Sequence, residues 1–262
     1  MNKISVVVPC YNEEKSLVIF YPQICAIAKQ MDKQSFEFLF IDDGSTDKTL
    51  QVLENIASQD ERVKYISFSR NFGKEAGIYA GLKNSTGDYT VLMDADLQHP
   101  PEFLPLMYQA VTQEGFDCAG ARRINREGEP PLRSFFSRMF YRLINRISDT
   151  AIESGVTDFR MMSRTMVDAV LSMSEYNRFT KGLFSWVGFK TKWIPYQNVE
   201  RVAGTTTWSF WGLVKYSLQG ILNFSTVPLA AASMLGGIFC AFSFISIAAI
   251  VIKTFIWGDP VA

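Results

Sequence analysis

The sequence contains little cysteine, a single histidine and no excess of either charge. Its four cysteines are scattered without a CxxC pair, which resembles neither a zinc site nor a disulfide framework and favours a reducing, cytosolic setting. Lys plus Arg and Asp plus Glu both number 26, so no overall field would attract a nucleic acid. Hydrophobic residues make up 48% of the 262, which excludes a disordered protein and allows a substantial core.

The first residues contain neither a secretion leader nor a dinucleotide-binding motif. The opening MNKISVVVPCYNEE reaches acidic residues too early for a secretion leader, and ISVVV has the length of a strand. This run is followed by PCYNEE and not by GxGxxG, which disfavours a dinucleotide-dependent dehydrogenase. Residues 1–205 are therefore expected to form a cytosolic globular domain.

The C-terminal part has the opposite character, because residues 227–252 form 26 consecutive residues without a charge. A helix of that length spans a hydrocarbon core of about 30 Å, and a buried helix of a soluble protein, the alternative, rarely lacks a polar face for so long. The sequence predicts a transmembrane helix at 226–257, a tail at 258–262, and an aromatic interfacial helix at 206–225 that could also serve subunit contacts in a homo-oligomer.

A further membrane-facing segment is expected at residues 130–148, PPLRSFFSRMFYRLINRIS. As a helix it would be aromatic on one side and basic on the other, which suits an interface with lipid headgroups. An ordinary surface helix that packs on the domain is the alternative.

Apolar runs of strand length alternate with helix-like stretches through the first hundred residues. The predicted strands are Ile4–Val8, Phe36–Ile41, Val63–Phe68 and Tyr89–Met93, and the predicted helices are Glu14–Met31, Asp47–Ser58 and Lys74–Asn84. This alternation predicts an α/β fold, in which a mostly parallel sheet carries helices on both faces. Ligands bind beyond the carboxyl ends of such strands, which is where PCYNEE, DDGSTD, SRNFGKE and DADLQ fall.

The DADLQ segment predicts a metal site. Asp94, Asp96 and Gln98 offer two carboxylates and a carboxamide oxygen at alternating positions, a set that favours Mg²⁺ or Mn²⁺. Two like charges so close repel each other unless a cation lies between them, although a lone DxD is often only a solvated turn. His99 is either a further ligand or a cap of the following helix.

The DDGSTD segment allows two interpretations. Gly44 would turn the chain while Ser45 or Asp47 caps the next helix. Two adjacent acids, Asp42 and Asp43, exceed what a cap requires, so one of them could accept hydrogen bonds from a ribose or a base N–H.

Six motifs follow one another along the chain: PCYNEE, DDGSTD, RNFGKEAGIYAGL, DADLQHPPE, GVTDFRMMSR, and ERVAG with Trp and Phe downstream. In this order they resemble the inverting glycosyltransferases of family 2, which have the GT-A fold. Within that family they resemble the polyprenyl-phosphate branch, which includes dolichol-phosphate mannose synthases and bactoprenol-phosphate glucosyltransferases. The resemblance implies transfer of a hexose, with UDP-glucose favoured over GDP-mannose or UDP-GlcNAc, to undecaprenyl phosphate at the cytosolic face of the inner membrane.

The resemblance also implies roles for individual residues. Those expected at the nucleotide sugar are Pro9, Tyr11, Glu13, Asp42, Asp43, Asp94, Asp96 and Arg201. Those expected at the divalent ion are Asp94, Asp96 and Gln98. Those expected at the lipid phosphate are Arg122, Arg133 and Ser137. The expected catalytic residues are Asp96, Asp158 and Arg201.

These roles agree with the chemistry of the implied acceptor. A lipid phosphate is already an anion near neutral pH, because its second pKa is about 6. It therefore needs positioning and charge screening more than a strong base. Displacement at the anomeric carbon places charge on the departing diphosphate, which Arg201 and the metal would stabilise. Asp158 is expected to orient an arginine or the acceptor, with a general-base role as the alternative.

Two departures and two rival functions accompany the resemblance. Thr207 stands where the family often has Lys. Bacterial relatives usually have two membrane helices, so the chain is either cut short or naturally short.

One rival function is that of a processive polysaccharide synthase, an enzyme that resembles a pattern with the motif QxxRW. In this chain the corresponding segment is QNVERV, in which Arg201 comes one residue late and no Trp follows. A catalytically silent membrane scaffold is the other rival, and the intact DADLQ argues against it.

Overall fold

The computed structural model describes residues 1–124, 155–173, 175, 178–196 and 220–258, together with residues 139, 142, 145, 146, 212 and 218. Arg133, Ser137, Arg201 and Thr207 lie outside the described residues, as does most of the predicted helices 130–148 and 206–225. The roles and helices predicted for them stay predictions.

Strands and helices alternate along the described chain. The strands are β1 (Lys3–Cys10), β2 (Ser35–Asp42), β3 (Val63–Ser67), β4 (Tyr89–Leu92), β5 (Cys118–Arg123), β6 (Val156–Ser163) and β7 (Thr191–Tyr196). The helices are α1 (Glu14–Gln30), α2 (Thr49–Gln59), α3 (Lys74–Asn84), α4 (Leu104–Gln113), α5 (Arg164–Ser172), α6 (Thr180–Trp186) and α7 (Val227–Trp257). A 3₁₀ turn, Pro101–Phe103, precedes α4. The strands and helices predicted in the first hundred residues are all present, with ends that differ by no more than two residues.

The seven strands form one sheet in the order β3-β2-β1-β4-β6-β5-β7. Neighbouring strands are parallel except that β6 runs antiparallel to both β4 and β5. Because β6 is reversed, its first residues lie at the same edge of the sheet as the carboxyl ends of the other strands. Asp158, the third residue of β6, is thereby brought to the edge where ligands bind in α/β proteins.

Helices cover both faces of the sheet. Phe38 and Phe40 of β2 pack towards α1, α2 and α4, whereas Val7 of β1 and Leu39 of β2 pack towards α3, α5 and α6. Successive side chains of a strand point to opposite faces, so strands buried on both faces consist almost entirely of apolar residues. The predicted α/β class, with a mostly parallel sheet between two layers of helices, is confirmed.

Helix α3 lies unusually close to the sheet because of a glycine. A Cβ atom on Gly81 would lie 2.2 Å from Cγ1 of Val7, a distance that only glycine permits. This close packing holds the first turn of α3, which begins at Lys74, at the ligand-binding edge.

Helix α7 differs from the other helices because none of its residues is buried. Its 31 residues make it long and apolar enough to cross a membrane. At 1.5 Å per residue it extends for about 46 Å, which exceeds a hydrocarbon core of about 30 Å. A buried core helix, the alternative considered from the sequence, does not describe this exposed helix.

Candidate active site

An acidic cluster lies just beyond the end of β4 and consists of Asp94, Asp96 and His99. One ligand atom from each side chain lies within 4.8 Å of the others. Asp96 and His99 are buried, whereas Asp94 is half-buried. The chain turns back within this segment through Leu97, whose φ of 59° is rare for a residue with a side chain and is typical of functional loops. Asp96 also accepts a hydrogen bond from the backbone N–H of Gln98 at 3.1 Å.

His99 belongs to this cluster and does not cap a helix. Its ring packs against Phe159 and Tyr196, with centroids 5.4 and 5.9 Å apart. The turn that follows begins without a side-chain cap, and the buried Nδ1 of His99 has no hydrogen-bond partner among the described residues. Burial lowers the pKa of His99, although Asp94 and Asp96 act in the opposite direction. The imidazole is therefore neutral, which is the form that binds a metal.

The donor set fits a divalent cation. Carboxylate oxygens suit Mg²⁺ and Mn²⁺, and an imidazole nitrogen suits a transition metal such as Mn²⁺ better than Mg²⁺. The buried and unpartnered Nδ1 of His99 is independent support, because buried polar atoms normally have a partner. Gln98, the ligand expected from the sequence, contacts the cluster through its backbone, and its role as a ligand stays a prediction.

Lys74 joins this cluster to Asp158. Its Nζ lies 2.7 Å from Oδ1 of Asp94 and 2.7 Å from Oδ2 of Asp158. The side chains of Lys74, Asp94 and Asp158 are 32%, 24% and 14% exposed, so water only partly screens these ion pairs. Burial alone would lower the pKa of Lys74, but Asp158 and Asp94 raise it well above its ordinary value. Lys74 is consequently charged throughout the physiological pH range.

Asp158 is ionised for the same reason. Burial raises its pKa, but the charges of Lys74 and Lys181 outweigh burial and place the pKa far below its ordinary value. A carboxylate with so low a pKa is a poor proton acceptor near neutral pH, since an effective general base has a pKa close to the working pH. The ion pair with Lys74 is compatible with the orienting role predicted for Asp158, and that role stays a prediction.

The loops after β1 and β2 bind each other at the same edge. Oδ1 of Asn12 accepts a hydrogen bond from the N–H of Thr46 at 2.8 Å, and the N–H of Asn12 donates to Oγ of Ser45 at 2.9 Å. The N–H of Glu13 donates to Oγ1 of Thr49 at 2.8 Å. The PCYNEE and DDGSTD segments therefore form one continuous wall beside the cluster.

Asp42 and Asp43 are both buried and bind partners within the chain. Asp42 accepts a hydrogen bond from Oγ of Ser67 at 2.8 Å. Asp43 accepts hydrogen bonds from the backbone N–H groups of Phe72 and Gly73 at 2.7 and 2.9 Å. Burial raises the pKa of Asp43, while these two hydrogen bonds act against that shift. Asp43 thus holds the SRNFGKE loop in place, and a contact of either aspartate with a nucleotide stays a prediction.

The other predicted residues within the described chain lie at the same edge of the sheet. Pro9 is near the end of β1, Tyr11 follows that strand, and both are half-buried. Arg122 lies near the end of β5 and is exposed. Their positions are compatible with the roles that the resemblance implies, and no ligand is present that would test them.

Lys74 received no role from the sequence, although it stands in one of the quoted motifs. The local signal was a lysine at the first turn of a helix directly after a glycine loop, a pattern shared by many solvent-exposed lysines. Its partners Asp94 and Asp158 are 20 and 84 residues away along the chain, so only the folded sheet brings the three together.

Comparison with known proteins places this site in a family. The profile of "Glycosyl transferase family 2" matches residues 5–171. The chain is 40% identical over 259 residues to the "Prophage bactoprenol glucosyl transferase homolog" of Escherichia coli (strain K12), covering 99% of this chain and 84% of that protein. It is 39% identical over 259 residues to the "Bactoprenol glucosyl transferase" of Shigella phage SfX, again covering 99% and 84%.

Solved structures of lower identity share the fold. One is the mannosyltransferase PcManGT from Pyrobaculum calidifontis in complex with GDP-Man and Mn²⁺, with a TM-score of 0.58, 18% identity, and coverage of 84% of this chain and 63% of that one. Another is glucosyl-3-phosphoglycerate synthase from Mycobacterium tuberculosis in complex with Mn²⁺, UDP-glucose and phosphoglyceric acid, with a TM-score of 0.55, 20% identity, and coverage of 84% and 77%. They confirm the predicted GT-A fold. Because the family profile covers more than half of the chain and relatives match nearly all of it, the protein belongs to glycosyl transferase family 2 and is a glycosyltransferase, as its six motifs predicted.

Proposed function

We propose that this enzyme transfers a hexose from a nucleotide sugar to a polyprenyl phosphate at a membrane surface. The observation that carries the proposal is the combination of the acidic cluster with a C-terminal helix long enough to span a membrane. A soluble acceptor would not require such a helix, whereas a polyprenyl phosphate cannot leave the bilayer. The names of the two bactoprenol relatives support this acceptor and favour glucose, hence UDP-glucose, as the donor.

Asp94, Asp96 and His99 would hold a divalent ion, with Gln98 as a further ligand. Their chemistry favours Mn²⁺ over Mg²⁺ because of the imidazole. When bound, the ion would supply positive charge to the diphosphate of the nucleotide sugar. The adjacent wall, with Tyr11 and Glu13, would bind the rest of the nucleotide.

Lys74 and Asp158 would act on the acceptor side. The acceptor phosphate is an anion, so its oxygen can attack the anomeric carbon without losing a proton to a base. A bond forms between that oxygen and the anomeric carbon while the bond to the nucleoside diphosphate breaks, which inverts the configuration. Asp158 holds the ammonium group of Lys74 in a fixed position, where its positive charge would position and screen the anionic acceptor phosphate. Arg201 would add charge at the departing diphosphate.

The membrane arrangement follows from the same proposal. Helix α7 anchors the chain in the inner membrane, and the catalytic domain lies on the cytosolic side, where nucleotide sugars are present. The predicted interfacial segments 130–148 and 206–225 would lie along the headgroups. Arg122, Arg133 and Ser137 would then receive the lipid phosphate.

A transfer assay in detergent tests the proposal. Undecaprenyl phosphate is supplied with labelled UDP-glucose, GDP-mannose or UDP-GlcNAc, in Mn²⁺, Mg²⁺ or EDTA, and label is counted in the organic phase. We expect metal-dependent label from UDP-glucose that is lost in Asp96→Asn and retained in Asp168→Asn, a control on the exposed side of α5 whose side chain is 64% exposed. If folded, metal-loaded protein transferred label from none of these donors, the proposal that undecaprenyl phosphate is the acceptor would be refuted. Label from another sugar would correct only the donor.

A further inference from the structure

A small apolar cavity lies where α6 meets the residues that lead into the membrane helix. Its volume is about 110 Å³, and most of its lining is apolar, from Met173, Phe179, Leu183, Trp186 and Phe224, while Glu175 adds a carboxylate. Leu183 and Trp186 are three residues apart on one side of α6, and Phe179 is the residue that precedes the helix. Phe224 comes three residues before the first residue of α7, so one wall of the cavity belongs to the chain that enters the membrane.

The cavity is built by specific packing at the membrane end of the domain. A Cβ atom on Gly182 would lie 2.4 Å from the ring of Phe224, so only glycine lets that ring sit against α6. The Phe224 ring also contacts the rings of Phe179 and Trp186, with centroids 6.1 and 6.4 Å apart. Trp186 is nevertheless 52% exposed. A half-exposed tryptophan beside an apolar cavity at the base of a membrane helix is suited to contact lipid.

The same helix also reaches the active site. The N–H of Thr180 donates to Oε2 of Glu75 at 3.0 Å, and its hydroxyl donates to the same oxygen, which ties α6 to the residue beside Lys74. Lys181, the second residue of α6, adds a positive charge that lowers the pKa of Asp158. Helix α6 thus connects the residue beside Lys74, through Thr180, with an apolar surface next to the residues that lead into α7.

We propose that α6 binds the acceptor lipid, with the first isoprene unit in this cavity and the phosphate attracted by Lys181. This inference rests on the proposed function, because it takes the acceptor to be a polyprenyl phosphate. The volume favours one unit, since a protein cavity of about 150 Å³ accommodates benzene and this cavity is somewhat smaller. The rest of the chain would continue along the predicted interfacial helix into the bilayer.

Kinetics with acceptors of different prenyl-chain length test whether the cavity binds the first isoprene unit. The Michaelis constant is measured for ethyl phosphate, dimethylallyl phosphate, farnesyl phosphate and undecaprenyl phosphate. We expect Trp186→Ala to raise it about tenfold for the three prenyl acceptors, through lost apolar contact, and to leave it unchanged for ethyl phosphate and for the nucleotide sugar. Leu106→Ala removes a residue of α4 with 51% exposure and should change none of these constants. Equal constants for wild type and Trp186→Ala with every acceptor would overturn the inference, as would an equal rise with all of them.

A photolabel separates failure of the cavity from failure of the proposed function. A prenyl phosphate with a diazirine on its first isoprene unit should label residues 173–186 or 223–224 of the full chain. Labelling there without sugar transfer would retain the cavity and refute the function. Sugar transfer with labelling elsewhere would retain the function and refute the cavity. Labelling of the cavity by a phospholipid with an acyl-chain diazirine, not displaced by the prenyl phosphate, would show a structural lipid and overturn the inference.

Discussion

Replacing Lys74 by methionine should tighten binding of the divalent ion while it slows sugar transfer. Nζ of Lys74 lies 2.7 Å from an oxygen of Asp94 and 2.7 Å from an oxygen of Asp158. It therefore competes with a cation for Asp94 and at the same time neutralises Asp158. Methionine keeps an unbranched side chain but removes the charge, so the two effects should appear together and in opposite directions.

Each effect has an expected size. Unit charges about 3 Å apart attract by about 5 kcal/mol at an effective dielectric constant of about 20, which is an upper limit here. Lys74 and Asp94 are 32% and 24% exposed, and partly exposed pairs contribute about 1 kcal/mol, so the affinity for Mn²⁺ should rise about fivefold. Asp158 is only 14% exposed and would lose its principal partner, which costs about 3 kcal/mol. Loss of one fixed electrostatic contact in an active site lowers the rate by about a hundredfold or more, so transfer should fall by about that factor.

Two independent measurements check this prediction. Electron paramagnetic resonance of added Mn²⁺ reports affinity without turnover, and the organic-phase assay reports transfer. Lys74→Arg keeps the charge and should leave the affinity nearly unchanged. Lys83→Met removes an exposed charge from the other end of α3 and should alter neither quantity. A weaker affinity for Mn²⁺ in Lys74→Met, measured on protein that circular dichroism shows to be folded, would refute the reasoning, because Lys74 would then support the metal site.

Three other substitutions test the fold and the metal ligands. Glu37 is buried and lies 2.8 Å from Lys3; burial raises its pKa, but Lys3 and several hydrogen bonds outweigh burial and lower it to about 2. Its contribution of about 3 kcal/mol to the free energy of unfolding is therefore present above about pH 4 and is lost as the pH falls towards 2. Glu37→Gln should accordingly destabilise the protein at pH 7 but hardly at pH 2, as measured by urea unfolding. Equal stability of the variant and the wild type at pH 7 would contradict this. His99→Gln should reduce the preference for Mn²⁺ over Mg²⁺ about tenfold, and an unchanged ratio of the two activation constants would exclude His99 as a ligand. Gly44→Ala should lower the unfolding free energy by about 3 kcal/mol, because φ is +66° and the new Cβ would lie 2.4 Å from a backbone carbon of the loop after β3. Gly115→Ala is the control, because Gly115 has a similar φ of +72° but open space around it, and this substitution should lower the unfolding free energy by less. Equal losses in the two variants would show that the close contact at Gly44 is unimportant.

The secondary structure was predictable because apolar periodicity is a local property. The runs Ile4–Val8 and Phe36–Ile41 became β1 and β2 with ends shifted by no more than two residues. The direction of β6 was not predictable in the same way. Its antiparallel pairing with β4 and β5 depends on hydrogen bonds between segments that are distant along the chain.

The candidate site shows the same division. Asp94 and Asp96 were recognisable from their spacing after an apolar strand. The part played by His99 could not be decided, because the choice between a helix cap and a metal ligand depends on which way a loop folds. Asp43 was expected at the nucleotide, which stays a prediction, but the hydrogen bonds that both of its oxygens accept from the loop after β3 could not be read from the sequence.

The sequence by itself determined the family, the order of strands and helices in the first hundred residues, the acidic pair and the long apolar helix. Each of these depends on residues that are close together along the chain, as a motif, a periodic pattern of apolar residues or an uninterrupted apolar run. Only the tertiary structure decided that Lys74 pairs with Asp94 and Asp158, and that α6 connects this site to an apolar cavity beside the membrane helix. The physical reason is that ion pairs and cavities depend on which distant segments meet and on how much water their contact excludes.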